Sequence, residues 1–425
     1  MATAPSWRPR GQRAGGGRAA GGRGNSDTRL LQAGFLVGAV IGAAMTVAGR
    51  RLEHQARSAG LVDWRRVEAL AEASLRKAPG SLTADELRAV APAYAEAMAK
   101  VVPALEARLG TPLPGVVDRI AVVDRGGWVR ANTVGFAALL GKLEGRLLDQ
   151  VLPPGAGLGG AAMLLANRWV STRQLAMLLG FMGQRVLGQY DLALLSAEAV
   201  PGRLLFVEEN IRATALAMDV PLEPFRVWIA LHETTHAFEF EAHPWLRPYL
   251  AERLERQVAM FSQDASSLGR DALRAVGTAL RGDGRGDDQH WLERLMSGEQ
   301  RVLFREIQTV MSLLEGFGDH VMDAAGKDLV PGVERISARF HGRRTNRTPY
   351  ERAMLRITGM DLKMEQYRTG ELFVAGIERL AGPAALRQLW AGPESLPRSG
   401  ELDDPAAWVR RMGLERDMAS LGGMA

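Results

Sequence analysis

The feature that most constrains this chain is a predicted helix that carries two histidines four residues apart. Residues 221–240 have an apolar body over 227–231 and then the run His232-Glu-Thr-Thr-His236. Pro221 suits the first helical turn, and Asp219 is the expected N-cap. Side chains four apart lie on one face of a helix, so the spacing predicts that both imidazoles reach the same metal ion.

The composition restricts which metal chemistry is open to the chain. It has no cysteine, which excludes disulfides, cysteine-bound zinc, iron–sulfur clusters and thiol catalysis. It has only 7 histidines, and three of them fall between 232 and 243. A bound transition metal must therefore use His, Asp or Glu. Glu233, next to the first histidine, is placed to take a proton from a metal-bound water.

A catalytic zinc ion needs a third protein ligand, for which the sequence offers two candidates. Residues 304–325 show an apolar stripe at helical spacing, and Glu315 and Asp319 lie one turn apart on that helix. We favour Glu315 as the ligand, with Asp319 orienting a zinc-bound histidine through its other ring nitrogen. Gly316 and Gly318 are expected to let the two helices approach closely. The alternative ligand is His243, which is followed at once by a proline.

The N-terminal residues differ from the rest of the chain. Residues 1–29 carry six arginines against one acidic residue, with almost no large apolar side chain, and we predict a disordered basic tail. Residues 30–49 contain no charged residue, and at 1.5 Å per residue they reach about 30 Å, the thickness of a bilayer core. We expect an apolar helix over 30–51 that anchors the chain in a membrane, with the tail on the cytoplasmic side. The alternative is a buried Ala/Gly-rich helix in a cytoplasmic protein.

The remainder, residues 62–425, is predicted to be one mainly helical domain whose metal-site core spans about 201–330. Residues 203–207 give the best strand prediction, and we expect this strand to be the sheet edge on which an extended peptide pairs. The net charge of +5 lies mostly in the tail, so no nucleic-acid partner is expected. The sequence gives no indication of oligomeric state.

The motifs resemble a known family. The run at 232–236 followed by Glu315-Gly-Phe-Gly-Asp319 is similar to the gluzincin pattern of thermolysin-type metallopeptidases. The chain more closely resembles a bacterial zincin-like family of zinc-dependent metalloproteases or hydrolases, often labelled as associated with deazaflavin-coenzyme biosynthesis. The matching stretches are residues 127–132, 186–191, 228–236, 311–316, 361–367 and 403–408.

The resemblance implies a mainly α fold with a zincin-like core and a small β-sheet; the predicted N-terminal apolar helix lies outside the matching stretches. It implies His232, His236 and Glu315 as zinc ligands and Glu233 as the base. The first functional hypothesis is a zinc metallopeptidase acting on a peptide or protein substrate, with an oxyanion donor sought among Tyr367, His341 and Arg343. The alternatives are a non-peptide amide hydrolase and a membrane-tethered binding or scaffold protein whose metal only braces the fold.

Overall fold

The computed structural model describes residues 51–113, 115–151, 157–191, 202–263, 296–345, 360–398 and 400–415. The predicted tail and the apolar stretch at 30–49 lie outside the described residues, so both stay predictions. Among the helices that are described, none combines the length and apolar character that crossing a membrane requires.

The described part is mainly helical, as predicted. Residues 51–59 are helical and precede the helices that we number α1 to α11. In chain order these are α1 Trp64–Leu75, α2 Ala84–Leu109, α3 Arg125–Val151, α4 Gly157–Gly183, α5 Glu208–Met218, α6 Leu222–Glu241, α7 Leu246–Gln263, α8 Gly298–Leu329, α9 Val333–Thr345, α10 Met360–Ala381 and α11 Pro405–Arg411. Short 3-10 helices cover Val117–Arg119, Pro383–Trp390 and Pro393–Ser395.

Helix ends follow local sequence signals, but one predicted helix cap is wrong. Helix α2 begins with a capping box in which the Thr83 side chain and Glu86 satisfy each other's backbone N–H groups. The predicted N-cap role of Asp219 on the metal helix is wrong. Asp219 adopts a left-handed conformation, φ 51°, and ends the preceding helix α5, while Pro221 takes the N-cap position of α6. Asp is one of the few residues other than glycine that adopts this conformation, and the Asp219 carboxylate here accepts a hydrogen bond from Arg335.

The sheet has three strands in the order β1-β3-β2: β1 is Ile120–Val123, β2 is Gly188–Asp191 and β3 is Arg203–Val207. The predicted strand at 203–207 is confirmed, but its predicted position at the sheet edge is wrong. Strand β3 is central, pairing in parallel with β1 and antiparallel with β2, so both of its edges are hydrogen-bonded. After the exposed Arg203 the strand is apolar and buried, because the sheet is covered on both faces.

Two apolar cores lie on opposite faces of the sheet. Leu204 and Phe206 point into the larger core, with side chains of α2, α6, α8 and α10. Leu205 and Val207 point into the smaller core, with α1, α3 and α4. Alternation of side chains along a strand produces this division. The metal helix α6 therefore belongs to the layer on one side of the sheet, and α4 to the layer on the other.

Candidate metal centre

The two histidines of α6 meet as their spacing predicts. The Nε2 atoms of His232 and His236 are 3.2 Å apart, and the ring planes are inclined by 80°. Both nitrogens therefore face one point in space from two directions, as two ligands of one ion do.

Helix α8 brings a carboxylate to the same point. Glu315 Oε2 lies 3.9 Å from His232 Nε2, and the ligand atoms of His232, His236 and Glu315 all lie within 4.8 Å of one another. At Gly318 a Cβ atom would lie 3.4 Å from the Cε1 atom of His236, an ordinary van der Waals contact, so the approach of α8 to α6 does not require this glycine. Gly316 does not contact α6 as expected. A Cβ there would lie 2.2 Å from the Gly370 backbone, so this glycine allows α10 to pack closely on α8.

The donor set fits zinc. Zinc is a borderline ion that binds both imidazole nitrogen and carboxylate oxygen, and three protein ligands leave one position for water or substrate. The three ligand side chains keep 15–19% of their surface exposed, so the centre is reachable from solvent. His243 is not part of this group. Its Nδ1 bonds the backbone oxygen of Glu239 at 2.8 Å, and its ring stacks on Trp390.

A carboxylate that sequence reasoning missed supports His236. Glu239 is fully buried, and its Oε2 accepts a hydrogen bond from His236 Nδ1 at 2.8 Å. This bond fixes the tautomer that leaves Nε2 for a metal. Burial lowers the pKa of His236, but the facing Glu239, Glu315 and Glu233 carboxylates raise it to about 10 in the metal-free protein. The sequence signal for this role was the position of Glu239, an acidic residue three positions after His236 and on the same helix face.

Glu233 lies under the edge strand β2. Burial raises its pKa to about 7, while His236 lowers it, and the Tyr190 backbone N–H donates to its carboxylate. A Cβ at Gly188 would lie 2.6 Å from Glu233 Cγ, so only glycine leaves room for this side chain. The centre thus combines three ligand side chains with a buried carboxyl group that titrates near neutral pH.

A family model for zincin-like metallopeptidases matches residues 62–409. The chain belongs to the zincin-like metallopeptidase family. It is also similar to a crystal structure from Chloroflexus aurantiacus described as "a putative hydrolase with a novel fold", at 34% identity and a TM-score of 0.60. That match covers 84% of this chain and 100% of the other. No curated protein matches the chain. Neither match addresses deazaflavin-coenzyme biosynthesis, so that part of the resemblance stays a prediction.

The remaining predicted site residues of this family member lie on described helices. Asp319 is buried on α8, one turn after Glu315, and its predicted contact with a histidine ring stays a prediction. Tyr367 lies on α10 and His341 on α9, while their side chains, like that of Arg343, fall outside the described residues. Their proposed role as oxyanion donors stays a prediction.

Proposed function

We propose that this protein is a zinc-dependent peptidase in which Glu233 is the general base. Family membership supports a hydrolase that uses a metal, and the placement of Glu233 between the ligand group and an edge strand supports peptide bonds as the target. Zinc, when bound, would lower the pKa of a water molecule and polarise a substrate carbonyl.

The open ligand set favours catalysis over a bracing role for the metal. Structural zinc sites are closed by four protein ligands, whereas catalytic sites use three and keep one position open. Among the described residues, the group contains only His232, His236 and Glu315, and each keeps part of its side chain exposed. This observation favours the proposal over a non-catalytic scaffold protein.

Glu233 holds and moves the proton in this proposal. Its carboxylate accepts the proton of the attacking water and later gives it to the leaving amine. A pKa raised to about 7 by burial suits a group that must do both near neutral pH. The Tyr190 N–H holds the carboxylate in place, and Glu239 keeps His236 oriented as a ligand.

Strand β2 is the proposed platform for the peptide. The Val207 N–H donates to the Leu187 carbonyl, so antiparallel alternation directs residues 189 and 191 toward β3 and the backbone of Gly188 and Tyr190 outward. On this outward edge the Tyr190 N–H already donates to Glu233, so a peptide would pair with the backbone of Gly188 and the carbonyl of Tyr190. An extended peptide adding to it would align its carbonyl groups with the base.

The proposal is tested with Glu233→Gln and a fluorogenic peptide library. We expect wild-type zinc content and a loss of about 10²–10⁴-fold in kcat, the contribution of a general base. Glu223→Gln, the same change on the exposed first turn of α6, is the matched control and should retain activity. Unchanged peptide hydrolysis by zinc-loaded Glu233→Gln would refute the proposal. Activity confined to small-molecule amides would identify a non-peptide amide hydrolase instead.

A further inference from the structure

Helix α4 presents an apolar surface to solvent. Between residues 162 and 177, nine residues are exposed and only one of them is charged: Ala162, Met163, Leu165, Ala166, Trp169, Val170, Arg173, Gln174 and Met177. We call this set the α4 face. Met163 is 62% exposed, Trp169 52% and Met177 53%. A surface helix ordinarily carries charged residues on its solvent side, so a continuous apolar strip marks an interaction surface.

Three arginines lie along the side of the α4 face that is nearest to α1. A cavity of about 190 Å³ opens between α1 and α4, lined by Arg66, Arg168 and Arg173 together with Trp169 and one acid, Asp63. Arg168 pairs with Asp63 at 3.3 Å, and Arg173 lies 4.4 Å over the Trp169 ring. Two positive charges remain in excess. Tryptophan and arginine beside an apolar strip are typical of protein surfaces at a membrane interface, and guanidinium groups bind phosphate well.

The first described helix, residues 51–59, lies beside this surface. It packs on α4 through a buried cluster of Ala56, Ala161 and Leu164, and in the sequence it follows the uncharged stretch at 30–49. The chain therefore leaves the described domain next to the first residues of the α4 face. In the sequence, the stretch that is long enough to cross a bilayer thus comes just before the helix that packs on α4.

We propose that the α4 face lies on an anionic lipid bilayer, with Arg66 and Arg173 at the level of the phosphate groups. The metal centre belongs to the layer on the other face of the sheet, so this contact leaves it in water.

The chain has no cysteine, so single cysteines can be labelled without background. In the full chain, Met177→Cys carrying the environment-sensitive fluorophore NBD should brighten and shift to the blue when phosphatidylglycerol vesicles are added. Doxyl groups on the lipid tails should quench it. Leu216→Cys, on α5 and 85% exposed, is the matched control and should do neither. Replacing Arg66 or Arg173 by Gln should weaken the anionic-lipid response about fivefold each, whereas Arg335→Gln should not.

Three results would overturn this proposal. An NBD signal that is already blue-shifted without lipid, at every protein concentration, would mean that the chain covers its own α4 face. A lipid-independent shift that grows with protein concentration would identify a second copy as the occupant. NBD emission typical of water at position 177 in the presence of vesicles, even with the chain bound to them through 30–49, would show that the α4 face contacts neither lipid nor a second copy. None of these results depends on peptidase activity.

Discussion

Replacing Gly188 by alanine should disable the base while leaving the metal ligands intact. A Cβ at this position would lie 2.6 Å from Cγ, 2.7 Å from Oε1 and 2.8 Å from Cδ of Glu233. Carbon atoms prefer separations of about 3.5–4.0 Å, so the Glu233 side chain must move by about 1 Å. A displacement of that size costs about 10²-fold in rate, or about 2.7 kcal/mol of activation free energy.

The strand itself should tolerate the change. Gly188 does not have a positive φ, so alanine can adopt its backbone conformation, and the methyl group meets a side chain and not the backbone. We therefore expect a loss of about 1–3 kcal/mol in the free energy of unfolding from overpacking. Because none of the three ligand side chains is touched, zinc content should match that of the wild type.

The assay compares kcat on a fluorogenic peptide, zinc content and urea unfolding. Gly135→Ala is the matched control: it is exposed on α3 with nothing within 4 Å of an added Cβ. It should keep full activity and gain up to about 1 kcal/mol of stability from its higher helix propensity. Full kcat in zinc-loaded Gly188→Ala would refute the positioning argument for Glu233.

Three further predictions concern the support of the centre. Glu239→Gln should weaken zinc binding about 10–100-fold in a chelator competition, because the hydrogen bond to His236 loses its charge; unchanged affinity would contradict this. Gly370→Ala should cost at least about 3 kcal/mol of unfolding free energy, because its Cβ would lie 1.9 Å from the Ser312 oxygen; wild-type stability would show that α8 and α10 separate easily. The pKa values of His236, about 10, and Glu233, about 7, exceed their ordinary 6.5 and 4.5, so the metal-free native state holds extra protons. Its melting temperature should therefore fall as pH rises from about 5 to 9, while zinc affinity rises; a zinc affinity independent of pH would contradict this.

The parts of the centre that lie within one helix were predictable from the sequence. The spacing of His232 and His236 fixes their common face, because helix periodicity is local. The helix carrying Glu315 was also predictable from its apolar stripe, and the structure brings its carboxylate to the two imidazoles. His243 lies only seven residues after His236, yet it faces Trp390, because the helix ends at Glu241 and the chain turns.

The parts that depend on tertiary pairing were not predictable. Strand β2 is four residues long, contains a glycine and lacks apolar alternation, so no local pattern distinguishes it from a loop. Gly188 belongs to this strand because Glu233 fills the space above it, a contact between residues 45 positions apart in the chain. Without β2, the apolar strand β3 was the natural choice for the edge, although its burial on both faces is typical of a central strand.

Zinc content measured by elemental analysis tests the central claim most directly. Wild type and His243→Ala should each bind about one zinc per chain, as expected for a single catalytic site. Glu315→Ala should bind clearly less after the same dialysis, with its fold verified by circular dichroism. Full zinc occupancy in folded Glu315→Ala, or loss of zinc in His243→Ala, would contradict the assignment of Glu315 as the third ligand.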